Sequence, residues 1–92
     1  EFASQSRIVK VNATIDSVDS NYPNKLYITD KTLEGTTIVV WIDQNTWEEL
    51  SDYLKDRIKA GAIIVMIGKC TFYKDTFELG VYDTEWIIEV YG

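Results

Sequence analysis

Hydrophobic and polar residues alternate along RIVKVNATID, from Arg7 to Asp16, with Val9, Val11, Ala13 and Ile15 on one side and Lys10, Asn12, Thr14 and Asp16 on the other. A period of two belongs to an extended chain with one face covered, so this stretch is expected to form a half-buried strand. Asp19 to Asn24 gathers turn-forming residues around Pro23, and Lys25 to Asp30 then resumes the alternation with Leu26 and Ile28 inward. Glu34-Gly35 offers the glycine that a hairpin turn needs. Thr36 to Ile42 follows, β-branched and aromatic throughout, the composition of a strand covered on much of both faces. Because both faces of that strand are apolar, Trp41 stays open between core and surface, with the core favoured.

The period changes at Asn45. Trp47, Leu50, Leu54 and Ile58 recur at helical spacing, and either Asn45 to Glu48 or Thr46 to Glu49 has the spacing of a capping box, which predicts one helix ending near Gly61. Trp47 is expected to plug the bottom of the domain from that helix. Ala62 to Tyr73 is too rich in β-branched residues to prefer a helix, and Gly68 within it predicts a bulge or bend in a long strand. Lys74-Asp75 marks a turn, after which Phe77, Leu79 and Val81 alternate with Glu78, Gly80 and Tyr82. Trp86 to Tyr91 extends or follows that strand, with Trp86 either closing the core or meeting a neighbouring domain.

Composition narrows the chemistry. The 92 residues include no histidine and one cysteine, which removes zinc-ligand sets, histidine-based triads and an internal disulfide. Cys70, inside an apolar strand, reads as a small buried hydrophobe. The acidic pairs Glu48-Glu49 and Asp52-Asp56 fall on the solvated side of the predicted helix, where they favour its N-terminal dipole without forming a metal pocket. The chain is therefore read as non-enzymatic, with no cofactor and no metal. No apolar run approaches the roughly 18–20 residues of a membrane span and no signal-peptide pattern opens the chain, so it is expected to be soluble and without a membrane partner, while the free cysteine leans toward a cytoplasmic location. Met66 is the only methionine, and residues 7–92 are read as a single domain excised from a longer chain, with residues 1–6 a disordered or expression-derived N-terminus. The formal net charge is -6, unfavourable for a general attraction to phosphate. It is unevenly spread: residues 1–42 hold four bases against five acids, and residues 43–92 five against ten.

Three strands, a helix and two strands form the succession of an all-β, five-stranded Greek-key barrel of the OB-fold type, with one helix between strands 3 and 4. YITDKTLEGTTIVVWID and WEELSDYLKDRIKAGAIIVMIGKCTFYKDTFEL carry a resemblance that spans residues 9–88. Its elements are Asp30, Gly35, the Val39-Val40-Trp41 strand, Gly61, the Ile67-Gly68-Lys69 step and the Glu78-Leu79 pair. In these the chain resembles the OB modules of bacterial replicative DNA polymerase alpha subunits and of class II aminoacyl-tRNA synthetase anticodon-binding domains. Lys31 to Glu34 is longer than the usual connection at that point.

That resemblance implies single-stranded nucleic acid as the partner, held across strands 2 and 3 and between the loops joining strands 1 to 2 and 4 to 5. With Leu26 and Ile28 inward, Lys25, Tyr27 and Thr29 point to the outer face, Tyr22 sits in the first loop, and Tyr73 and Lys74 sit in the second. These six are the candidate binding residues. A base stacked on an exposed aromatic contributes about 1–3 kcal/mol, which suits weak, salt-sensitive, sequence-tolerant binding. Cross-strand pairing alone also accounts for an outward Tyr27, and the lysines are ordinary solvated residues. The alternative is a protein-interaction or structural module of a larger protein, using its acidic helix face or its edge strands.

Overall fold

The computed structural model describes residues 7–29, 37–73 and 76–92, with the side chains of residues 72, 73, 76 and 77 outside that description. The first alternating stretch is β1, Ile8–Val18, in which Val11, Ala13 and Ile15 are buried as the period of two requires. It turns into β2, Lys25–Thr29, where Leu26 and Ile28 are fully sealed. β3, Thr37–Ile42, buries Ile38, Val40 and Ile42 on one face and leaves Val39 and Trp41 half-buried on the other. Trp41 is thus an outer-face residue, the less favoured of the two alternatives. The alternation itself carries the reason, since in a strand the neighbours of inward Val40 and Ile42 must point outward.

Two short helices, α1 (Gln44–Glu49) and α2 (Asp52–Arg57), stand where one was expected. The chain goes extended at Leu50 and Ser51, and the Ser51 hydroxyl accepts the Leu54 N–H at 3.2 Å, starting a new helix mid-stripe. At the first helix neither capping box forms; Asp43 is the cap, its carboxylate accepting the Asn45 N–H at 3.2 Å. The break also relocates Glu48 and Glu49. They occupy the last turn of α1, where the helix dipole does not favour a negative charge, while Asp52 takes the favourable first turn of α2. Both helices press apolar residues on the barrel: Leu50 and Ile58 are buried, and Trp47 and Leu54 pack half-buried against the core.

β4, Ile63–Tyr73, runs antiparallel to β1 from Ile63 opposite Thr14 to Lys69 opposite Ile8. This register passes through Gly68 without a shift, so of the bulge or bend expected there the bulge is absent; irregularities fall between Ile15 and Ser17 and between Val65 and Met66. Gly68 is buried, and a Cβ on it would lie 3.2 Å from that of Leu79 on the neighbouring strand, so its contribution is close packing between adjacent strands. β5, Thr76–Val81, pairs antiparallel with β4 and parallel with β3. The ring of pairings β1-β2-β3-β5-β4-β1 closes, making the five-stranded barrel of an OB fold.

A sixth strand, β6 (Ile87–Tyr91), follows β5 along β4 after a 3-10 turn at Thr84–Trp86. Trp86 packs half-buried against the core and so helps to close it. Gly61 lies beyond α2 with φ of +92°, the left-handed conformation that glycine adopts without steric cost. The predicted turns at Glu34-Gly35 and Lys74-Asp75, and residues 1–6, lie outside the described residues.

Candidate functional site

The loop between β1 and β2 is built around one carboxylate. Asp19 accepts the N–H groups of Asn21 at 2.9 Å and Tyr22 at 3.2 Å, and the Tyr27 hydroxyl donates to its other oxygen at 2.8 Å. These bonds favour the charged form, so the backbone N–H of Asn21 first, then the Tyr27 hydroxyl and the charge of Lys25, hold Asp19 below its ordinary value of 3.8. Pro23 follows Tyr22 with its φ preset for a turn, closed by the Lys25 N–H on the Tyr22 carbonyl at 3.1 Å. Buried Asn24 then clamps the loop to the end of β3: its Nδ2 donates to the Ile42 carbonyl at 2.7 Å and its own carbonyl accepts from the Ile42 N–H at 2.9 Å.

This clamp sets Tyr22 beside Trp41, ring centroids 5.6 Å apart and tilted by 59°. Cross-strand pairing of Lys25 with Trp41 brings the Lys25 ammonium to 4.9 Å from the Trp41 ring centroid and 5.6 Å from that of Tyr27. Such contacts hold a cation over aromatic faces at about 0.5–1 kcal/mol where solvent reaches them. Three aromatics and one ammonium thus share the outer face of β2 and β3. Tyr22 remains 52% exposed, so its ring is offered to solvent and is not spent on the core.

The same row continues across the barrel. Trp41 pairs with Gly80 of β5, and Gly80 with Lys69 of β4. The Tyr82 ring lies over Gly80, so close that a Cβ there would meet ring atoms at 2.6 Å. Tyr82 is 53% exposed and meets Trp86 edge-on at 6.2 Å. A groove of about 370 Å3 opens between these groups, lined in part by Tyr22, Trp41 and Tyr82.

Of the candidate residues, Tyr22, Lys25 and Tyr27 come together. Thr29 lies on the same outward side but four residues along β2, about 13 Å from Lys25, and its hydroxyl donates to the Asp16 carboxylate. Tyr73 ends β4 opposite Thr76, four pairs along the strands from Lys69 opposite Gly80, so its backbone belongs to the far end of the sheet from Tyr22. Its side chain, and Lys74 altogether, lie outside the described residues. Trp41 and Tyr82 were missed as site residues. Strand phase points to Trp41; nothing in the sequence says that Tyr82 folds back over a glycine.

Elsewhere, Cys70 is buried, which pushes its thiol up, with the charge of Arg7 opposing. Among the described residues no group of three or more His, Cys, Asp or Glu side chains is placed to hold a metal ion. None of the helices among them is long and apolar enough to cross a membrane.

No family model matches the chain, and no curated protein matches it. Among solved structures it is similar to a chain of the crystal structure of the S. pombe Stn1-ten1 complex, with a TM-score of 0.63 and 18% sequence identity. The match covers 84% of this chain and 55% of that one, so the chain spans about half the length of the protein it resembles. At this identity the likeness speaks for architecture, and with the closed strand order it establishes the chain as an OB-fold barrel.

Proposed function

We propose that this chain is a non-catalytic OB-fold module that binds single-stranded nucleic acid weakly, by stacking bases on the outer face of β2 and β3. The observation that carries this reading is the cluster of Tyr27 and Trp41 around the Lys25 ammonium, with Tyr22 against Trp41. Each ring offers about 1–3 kcal/mol to a stacked base, and Lys25 gives a neighbouring phosphate a charge partner. Net charge then sets the limit. At -6 the protein gains little from its overall field, so affinity rests on stacking and the salt dependence is shallow. With one or two phosphates neutralised, the logarithm of affinity falls with that of salt at a slope of about -0.7 to -1.4.

The test is an anisotropy titration of a labelled mixed-sequence single strand of about 15 nucleotides at two salt concentrations, with a duplex control. Saturable binding to the single strand alone, weakened about fivefold or more by Trp41→Ala, is the expected result. A flat titration up to about 100 μM, or binding indifferent to both Trp41→Ala and Tyr22→Ala, overturns it.

One observation favours a second reading, a protein-interaction module. β6 stands at the edge of the sheet and presents exposed Ile88 and Tyr91, and the similar solved chain is part of a complex named for two components. A strand edge of this kind is a template for another chain. Should the single-strand titration be flat, reversal of exposed Glu48 and Glu49 to lysine is the next measurement. Undiminished capture of a protein partner by that double variant removes the acidic face from consideration.

A further inference from the structure

The groove beside Trp41 differs chemically from the rest of the outer face. Its apolar wall is ring, from Tyr22, Trp41 and Tyr82, and its polar edge is Asn24, Asp43 and Gln44. Among the described residues, Asn24 uses its Nδ2 on the Ile42 carbonyl, Gln44 its Nε2 on Glu48 at 3.0 Å, and Asp43 its Oδ2 on the Asn45 N–H. These are the only side-chain hydrogen bonds the three make there. Each amide keeps its oxygen and one N–H, so the group on this edge that only accepts is the Asp43 carboxylate, with lone pairs to spare. A phosphate is repelled by such an edge. A flat ring with N–H groups on its rim fits both the wall and the edge.

We infer that this groove receives one unpaired nucleobase bearing an exocyclic amino group, and that Asp43 is the residue that selects it. The inference rests on the single-strand reading and narrows it, because it introduces a base preference into otherwise sequence-tolerant stacking. Cytosine and thymine make the discriminating pair, being pyrimidines of similar size. Cytosine presents its 4-amino group as a donor, which a carboxylate accepts. Thymine presents the O4 carbonyl at the same place, and that oxygen faces the carboxylate with no proton between them. The base enters the groove, and the phosphate next to it stays outside near Lys25, whose ammonium lies 4.9 Å from the Trp41 ring centroid.

The experiment titrates labelled oligo-dC and oligo-dT of about 15 nucleotides against the wild-type chain and Asp43→Asn at pH 7.5 and one low salt concentration. Asparagine caps a helix as well as aspartate does, so the substitution removes the charge while keeping the start of α1. Wild type is expected to bind oligo-dC about fivefold more tightly than oligo-dT, and Asp43→Asn to bring the ratio close to one without weakening oligo-dT. Equal binding of the two oligomers by wild type overturns the selectivity and leaves the stacking surface standing. A preference that persists in Asp43→Asn also overturns it, by removing Asp43 as the selector. Failure of both oligomers to bind overturns the single-strand reading together with this one.

Discussion

On the inner face of β2 and β3, Leu26, Ile28, Ile38, Val40 and Ile42 are sealed from solvent, whereas on the outer face Lys25, Tyr27, Val39 and Trp41 remain half-buried. Both faces are carried by the same backbone and the same hydrogen bonds, so the difference lies in what each side chain meets. Inward residues meet one another and are interchangeable with other hydrophobes of similar volume. Outward residues meet specific partners at specific distances: a ring against a ring, an ammonium over two rings, a hydroxyl on a carboxylate. The inner face should therefore answer to stability and the outer face to binding.

The sharpest way to break that division is at Leu26 and Trp41, which are diagonal neighbours on opposite faces. Leu26→Ala is expected to cost about 2–5 kcal/mol in denaturant unfolding, the range for emptying a sealed leucine site, while oligonucleotide affinity of the folded fraction stays unchanged. Trp41→Ala is expected to do the reverse, removing about 1–3 kcal/mol of single-strand binding with a smaller loss of stability. An unfolding loss at Trp41 as large as that at Leu26 would mean that the indole belongs to the core after all.

Tyr27→Phe sharpens the comparison further, since it removes one hydroxyl from the outer face and leaves the ring. Asp19 is held below its ordinary value in the folded state, so its contacts are complete above pH 3.8 and are lost as pH falls through that lowered value. Tyr27→Phe should therefore be less stable than wild type at pH 7, and the gap should close on acidification below about pH 3.8. A gap that is constant with pH separates the hydroxyl from the Asp19 carboxylate. The smallest effect belongs to the solvated helix surface. Glu49→Lys should change stability by less than about 0.5 kcal/mol, read by thermal unfolding, because the side chain is exposed.

Much of the barrel was legible in the order and phase of the elements. Val11, Ala13, Ile15, Leu26 and Ile28 all face inward, as a period of two dictates. The helix was misread because the stripe Trp47, Leu50, Leu54 and Ile58 is continuous across a backbone that is not; Ser51 and Asp52, a capping residue followed by an acid, were the local signal of a restart. Composition leaves Trp41 open between core and surface, because both faces of its strand are apolar; its phase relative to Val40 and Ile42 is the better guide. The site was legible where it lies on β2 and in the first loop. Tyr82 was not, because its position depends on a long-range pairing that sets Gly80 beside Trp41 and leaves room for a ring above it.

The seam between β1 and β4 has a consequence for how the molecule is made. Its partners, from Ile8 with Lys69 to Thr14 with Ile63, lie roughly fifty to sixty residues apart in the chain, and barrels dominated by such distant pairings fold in milliseconds to seconds. During synthesis the first strand leaves the ribosome with its mate still untranslated, and at about 5–20 residues per second it waits for seconds with that edge unpaired. Closure is therefore a late event, and Ile8, Val9 and Val11 spend that interval as an apolar strand open to the wrong neighbour.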